Sequence, residues 1–163
     1  IGLDINKNIV KRLKLSNDEL DSLEKMVLWH LRPGYLADNE EITSRAIFRY
    51  FRDTQEEGLS ILLISIADQR ATLGPLTSKK SRLHHEKVVL DLIKEYFRRK
   101  KEKKLSRLIT GDDLIKKFKL TPSPLIGKIL REVEELQAIG KIKSKGKALE
   151  IAGKFIEKQH PSA

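Results

Sequence analysis

Cysteine is absent from this 163-residue chain. That excludes a disulfide scaffold, a thiolate zinc site, a Cys nucleophile and an iron–sulfur cluster. Aromatic residues make up only 6%, so any core must be built mainly from aliphatic side chains. No run of 18 apolar residues occurs, and no membrane span is expected. GxSxG, Walker A, GxGxxG and HExxH are all missing, which removes the commonest signatures of acyl transfer, nucleotide binding and zinc hydrolysis. No signal-peptide pattern is visible, and the chain opens Ile1-Gly2-Leu3-Asp4 without a Met. It reads as a fragment or processed product of a cytoplasmic protein. What is present is 39% hydrophobic and 34% charged residues, enough apolar material for a helical core and too much for disorder.

The charge is unevenly spread. Residues 1–78 hold 10 Lys+Arg against 12 Asp+Glu, net −2, while residues 79–163 hold 23 against 11, net +12. A strongly basic half is the electrostatic footprint of a nucleic-acid binder; a lysine-rich surface kept for solubility is the plainer alternative. The densest run, Arg98-Arg99-Lys100-Lys101 then Lys103-Lys104, ends a predicted helix, where cations also complement the helix dipole.

The apolar spacing is helical throughout. Ser16-Asn17-Asp18-Glu19 reads as a capping box opening a helix with Leu20, Leu23, Val27 and Leu28 or Leu31 on one stripe, stopped by Arg32-Pro33-Gly34. A second helix from about Thr43 turns Ile47, Tyr50 and Phe51 inward, and Gly58 breaks it. Leu59 to Ala67 is almost wholly apolar and is expected to be buried all round. Residues 75–82 read as a linker. A long helix over about Leu83 to Lys104 offers Leu83, Val88, Leu92, Tyr96 and Phe97 as its apolar face. A second capping box, Thr110-Gly111-Asp112-Asp113, starts a short helix, and its position accounts for the two Asp residues without a metal. Pro124 sits in the first turn of a helix ending near Ile139, with Gly140 as its C′ residue, and a last helix spans about Lys147 to Lys158. These elements predict an all-α, elongated protein of about seven helices in two small subdomains, 1–78 and the basic 79–163.

Few residues offer catalysis. His30 and Asp68 are weak metal candidates, and two ligands are too few for a secure site. His84 and His85 are adjacent and face different directions. The segment 121–131 is more informative. Ser123 precedes a helix N-terminus whose free N–H groups suit a phosphate, and Lys128 and Arg131 share one face of that helix. Gly127 either bares backbone for a ligand or lets a neighbouring helix approach. Base-reading Asn, Gln or Arg in the first turn are lacking, so shape-and-phosphate recognition fits better than sequence readout.

Three runs then carry a resemblance: Leu108-Ile109-Thr110-Gly111-Asp112-Asp113-Leu114; Pro124-Leu125-Ile126-Gly127-Lys128-Ile129-Leu130-Arg131-Glu132-Val133-Glu134-Glu135-Leu136-Gln137; and Gly140-Lys141-Ile142 with Ala148-Leu149. Together they resemble the C-terminal region of bacterial tRNA nucleotidyltransferases and their poly(A) polymerase relatives. Upstream, Trp29-His30-Leu31-Arg32-Pro33 and Ala67-Asp68 look like the closing His and Asp of an HD-like domain found in many such chains. Ser123 stands where the family usually has Gly, and Leu125 where it often has Glu.

The resemblance implies a body and tail that hold the tRNA acceptor stem and elbow. A catalytic head, on the same or another chain, would use Mg with ATP or CTP to extend the tRNA 3′ end. No head or neck motif is in this sequence, so no catalytic residue and no cofactor is assigned to it. The expected RNA contacts are Arg98, Arg99, Lys100 and Lys101 on the long helix, and Lys116, Lys117, Lys119, Ser123, Gly127, Lys128 and Arg131 in the tail. The expected partner is tRNA, with no membrane. The alternatives are a remnant of an HD-type metal phosphohydrolase, resting on His30 and Asp68, and a helical module docking onto a catalytic subunit.

Overall fold

The structure, a computed structural model, describes residues 2–39, 41–72, 78–102 and 105–159. It is all-α. The described residues form α1 (Gly2–Leu13), α2 (Asn17–Trp29), α3 (Arg32–Ala37), α4 (Ser44–Thr54), a 3-10 turn (Gln55–Glu57), α5 (Gly58–Ala71), α6 (Lys79–Lys101), α7 (Gly111–Phe118), α8 (Pro124–Ala138) and α9 (Lys145–Gln159). The seven expected helices are all among them, and α1 and the short α3 are additional. α2 ends at Trp29, just before Arg32-Pro33-Gly34, and Pro33 then sits in the first turn of α3, where its missing N–H leaves no bond unmade.

The chain divides into two compact units, Ile1–Lys103 and Lys104–Ala163. The boundary therefore lies some 25 residues beyond the expected one at 78. The reason is α6, which packs on α3 and α5 and places Val88, Val89 and Leu92 in one buried cluster with Ala37, Tyr50, Ile61 and Leu62. Of the expected linker at 75–82, residues 75–77 lie outside the described residues; the rest is not linker, because Ser78 caps α6 through the backbone N–H of Ser81 and residues 79–82 form the first turn of that helix.

The first unit carries polar bonds inside its core. The Tyr50 hydroxyl donates to the Gly58 carbonyl at 2.7 Å, and Thr54 Oγ1 donates to the Tyr50 carbonyl at 2.8 Å. Tyr50 is fully buried, and burial pushes its hydroxyl well above the usual tyrosine range. Gly58 starts α5 because a Cβ there would meet Thr54 Oγ1 at 3.0 Å. The apolar run in α5 is not buried all round. Ile61, Leu62 and Ser65 face inward, whereas Leu63 is 55% exposed and Ile64 is exposed as well, because the helices around α5 cover one face of it. Leu83 and Phe97 likewise lie outside the core that Val88, Val89 and Leu92 enter.

The second unit is a three-helix cluster, α7, α8 and α9, closed over Ile109, Leu114, Ile126, Ile129, Val133, Ile142, Ala148 and Ala152. Its ends are defined by caps. Thr110 Oγ1 accepts from Asp113 N while Asp113 Oδ2 accepts from Thr110 N at 2.9 Å, a complete capping box. Gly140 takes φ +75°, and Lys141 N donates to Leu136 O at 2.9 Å while Gly140 N donates to Gln137 O at 3.0 Å. That pair of bonds is the Schellman closure of α8. Gln137 also holds the segment entering the unit: its Nε2 donates to Ser106 O at 2.7 Å and its Oε1 accepts from Leu108 N at 3.4 Å.

Candidate nucleic-acid interface

The basic residues of the two units differ in what they touch. At the end of α6, Arg98 donates to both carboxylate oxygens of Glu95 at 2.6 Å and also pairs with Glu102. Arg99 donates to Glu95 at 2.6 Å and stacks its guanidinium 5.0 Å over Phe51. The hydrogen bond from Arg98 is the main cause holding the Glu95 carboxyl below its ordinary range; Arg99 adds to it and burial opposes it. Both arginines are thus engaged by carboxylates at their own end of α6, and Arg99 also reaches α4 through Phe51. Lys100 and Lys101 are exposed. The sequence run read as four equivalent phosphate contacts divides into two paired arginines and two solvent-facing lysines. Lys103 and Lys104 lie outside the described residues.

In the second unit the pattern inverts. Lys116 and Lys117 occupy the last turn of α7 and are exposed. Lys119 caps α7 in the left-handed conformation, φ 52°, ψ 38°, and is also exposed. Four residues on, Ser123 is the N-cap of α8, with an extended backbone and no cap hydrogen bond from its side chain, which leaves the first N–H groups of α8 uncapped by it. Lys128 and Arg131 follow on one exposed side of α8. A Cβ built on Gly127 would meet nothing within 4 Å. The close-packing explanation of Gly127 therefore has no neighbour to rest on, and the glycine leaves bare backbone beside Lys128.

Three other lysines of this unit pair with carboxylates. Lys145 donates to Asp113 at 2.6 Å, and Lys147 and Lys154 both reach Glu150, at 2.8 and 2.9 Å. These bonds hold both carboxyls down to about 2: at Asp113 Lys145 is the largest cause, followed by the Thr110 cap, and at Glu150 Lys147 leads, followed by Lys154.

The metal candidates are not brought together as a site. His30 caps the end of α2 and its Nδ1 donates to Val27 O at 2.8 Å. The neighbouring residues are also structural: Arg32 lies 4.7 Å over the Trp29 ring and pairs with Asp53 at 2.8 Å. Asp68 is exposed on α5 and acts electrostatically on His85. Among the described residues no three His, Asp or Glu side chains converge as metal ligands. Sequence reasoning missed His85 itself, which is buried and shares a 3.0 Å hydrogen bond with Ser65. A polar pair split between α5 and α6, 20 residues apart, leaves no spacing signal.

A family model described as tRNA nucleotidyltransferase domain 2 matches residues 3–152. The chain belongs to this family. The match runs from the first turn of α1 into α9, so it takes in most of both units. Searches of the curated proteins and of the solved structures found no match. No helix among the described residues of the domain is long and apolar enough to cross a membrane.

Proposed function

We propose that this chain is the tRNA-holding part of a tRNA nucleotidyltransferase. It grips acceptor stem and elbow through their phosphates, while a head on the same or another chain performs nucleotide transfer with Mg and ATP or CTP. The reading rests on the α7–α8 turn, where Lys116, Lys117, Lys119, Lys128 and Arg131 stay exposed while Lys145, Lys147 and Lys154 pair with carboxylates. Lysines held in this way act as point charges that follow a phosphate backbone without reading bases. The contribution to catalysis is positional: a tRNA held at its elbow presents its 3′ end at a fixed distance.

The test is binding of the whole chain to tRNA and to an acceptor-stem minihelix lacking the elbow, over a salt series. We expect tighter binding of tRNA, with a log–log salt slope steeper than about −3. Replacing Lys128→Glu together with Arg131→Glu is expected to flatten that slope by about 2. Equal, weak binding of both RNAs would refute elbow recognition.

One observation favours a docking role as a second reading. Ile5, Ile9 and Leu13 are exposed at i, i+4 and i+8 along α1, an apolar stripe running beside buried Val10, of the kind a catalytic subunit could cover.

A further inference from the structure

The outer face of α6 carries a pattern on which the tRNA-holding reading does not rest, although Lys101 at its end is also one of the expected RNA contacts. Leu83, Leu90 and Phe97 are 59%, 46% and 47% exposed. They are spaced seven residues apart, and each is preceded by three residues and followed by four by a lysine: Lys80, Lys87, Lys94 and Lys101. At 3.6 residues per turn all seven fall within an arc of about 100°, on the side opposite to His85, Val88, Val89 and Leu92. The helix is therefore amphipathic toward its own core and carries a second ordered stripe toward solvent, about 32 Å long at 1.5 Å per residue.

The periodicity is a heptad, with apolar residues at one seam position and lysine at the other. All four lysines are exposed, and the two acids that flank the stripe are both paired, Glu86 with Arg70 and Asp91 with Lys94 at 2.8 Å. We propose that this face docks an acidic amphipathic helix of a partner protein, with Leu at one seam position and Glu or Asp opposite the lysines. Charge decides the occupant. A second copy of α6 would bring four further lysines into the same seam. A phosphate backbone would meet the lysines and strand three large apolar side chains against charge. A lipid surface wants a broad apolar face with cations at its margins, whereas here each apolar side chain lies between lysines. This inference goes beyond the tRNA-holding reading and uses different residues to test it.

The probe is a fluorescent three-heptad helical peptide with Leu and Glu at the seam positions, titrated with the whole chain. A peptide with Lys in place of Glu is the control. We expect the acidic peptide to bind and the basic one not to, and binding to weaken with salt. Leu83→Ser with Leu90→Ser should lower affinity at least about tenfold, with tRNA affinity and the melting temperature unchanged. A second variant, Lys87→Glu with Lys94→Glu, should reverse the preference to the basic peptide, which no loss of folding can mimic. The proposal is overturned if the acidic peptide fails to bind, if both peptides bind alike, or if the leucine variant binds the peptide normally. It is also overturned if that variant instead loses tRNA or binding to vesicles containing phosphatidylglycerol.

Discussion

The two units use their cations for opposite ends. Residues 1–103 hold 20 Lys+Arg, of which nine are Arg; residues 104–163 hold 13, of which two are Arg. In the first unit arginines bridge carboxylates and cover rings: Arg32 and Arg52 meet on Asp53, Arg70 pairs with Glu86, and Arg99 spans Glu95 and Phe51. Burial pushes the Asp53 carboxyl up more than any single contact lowers it, yet the hydrogen bonds and charges of Arg52 and Arg32 together hold it below its ordinary range. In the second unit the cations are mostly lysines, and those at the α7–α8 turn face water. A guanidinium offers a planar fork for carboxylates and stacks on rings, whereas an ammonium is a mobile, well-hydrated point charge. Net charge alone, +4 for the first unit and +6 for the second, understates that difference: most of it lies in which cations are already engaged.

The largest effects should be shared by both units, because they concern cores. Ile61→Ala and Ile129→Ala each remove a fully buried branched side chain and should cost about 3 kcal/mol of unfolding free energy, read by chemical denaturation. The contrast should then appear in the charges. Arg99→Ala is expected to leave tRNA affinity within about twofold while lowering stability by about 1 kcal/mol through the lost ring and carboxylate contacts. Lys128→Glu with Arg131→Glu should do the reverse, lowering tRNA affinity at least about tenfold with little change in melting temperature. Equal RNA losses from both substitutions would erase the distinction drawn here.

The smallest effect is in pH. Burial, against the opposing charges of Asp38, Asp68 and Glu86, holds His85 below its ordinary value of 6.5. The unfolded chain then takes up a proton before the folded one does, so this contribution is complete above 6.5 and is lost as pH falls below it. Asp113 behaves differently: its carboxyl drops from 3.8 to about 2 on folding, so its contribution is present above 3.8 and is lost only as pH falls toward 2. Amide exchange followed from pH 7 to pH 3 should show α5 and α6 loosening first, and His85→Asn should remove that early step.

Much of this was legible in the residues. The capping boxes at Ser16 and Thr110 and the C′ glycine at 140 marked helix ends correctly because each is a local bond between neighbours in sequence. Other features depend on what packs from afar. Leu63, Leu83 and Phe97 were placed inward by hydrophobicity, yet the helices around α5 and α6 cover only one side of each. The unit boundary was displaced because a Pro, Thr and Ser stretch marks a loop, not which side of it a helix will join. In the candidate interface, residue types were readable but engagement was not. Arg98, Arg99, Lys100 and Lys101 look alike in a row, and only the positions of Glu95, Glu102 and Phe51 separate them.

Gln137 has a practical consequence. The segment 106–108 is fastened to α8 by a neutral amide, in a part of the chain otherwise crowded with ions. Salt weakens bonds between ions and scarcely touches a bond between an amide and a backbone carbonyl. Raising the ionic strength should therefore strip RNA from the second unit while its entry segment stays in place. A salt titration of binding then counts phosphates released and does not report the domain coming undone.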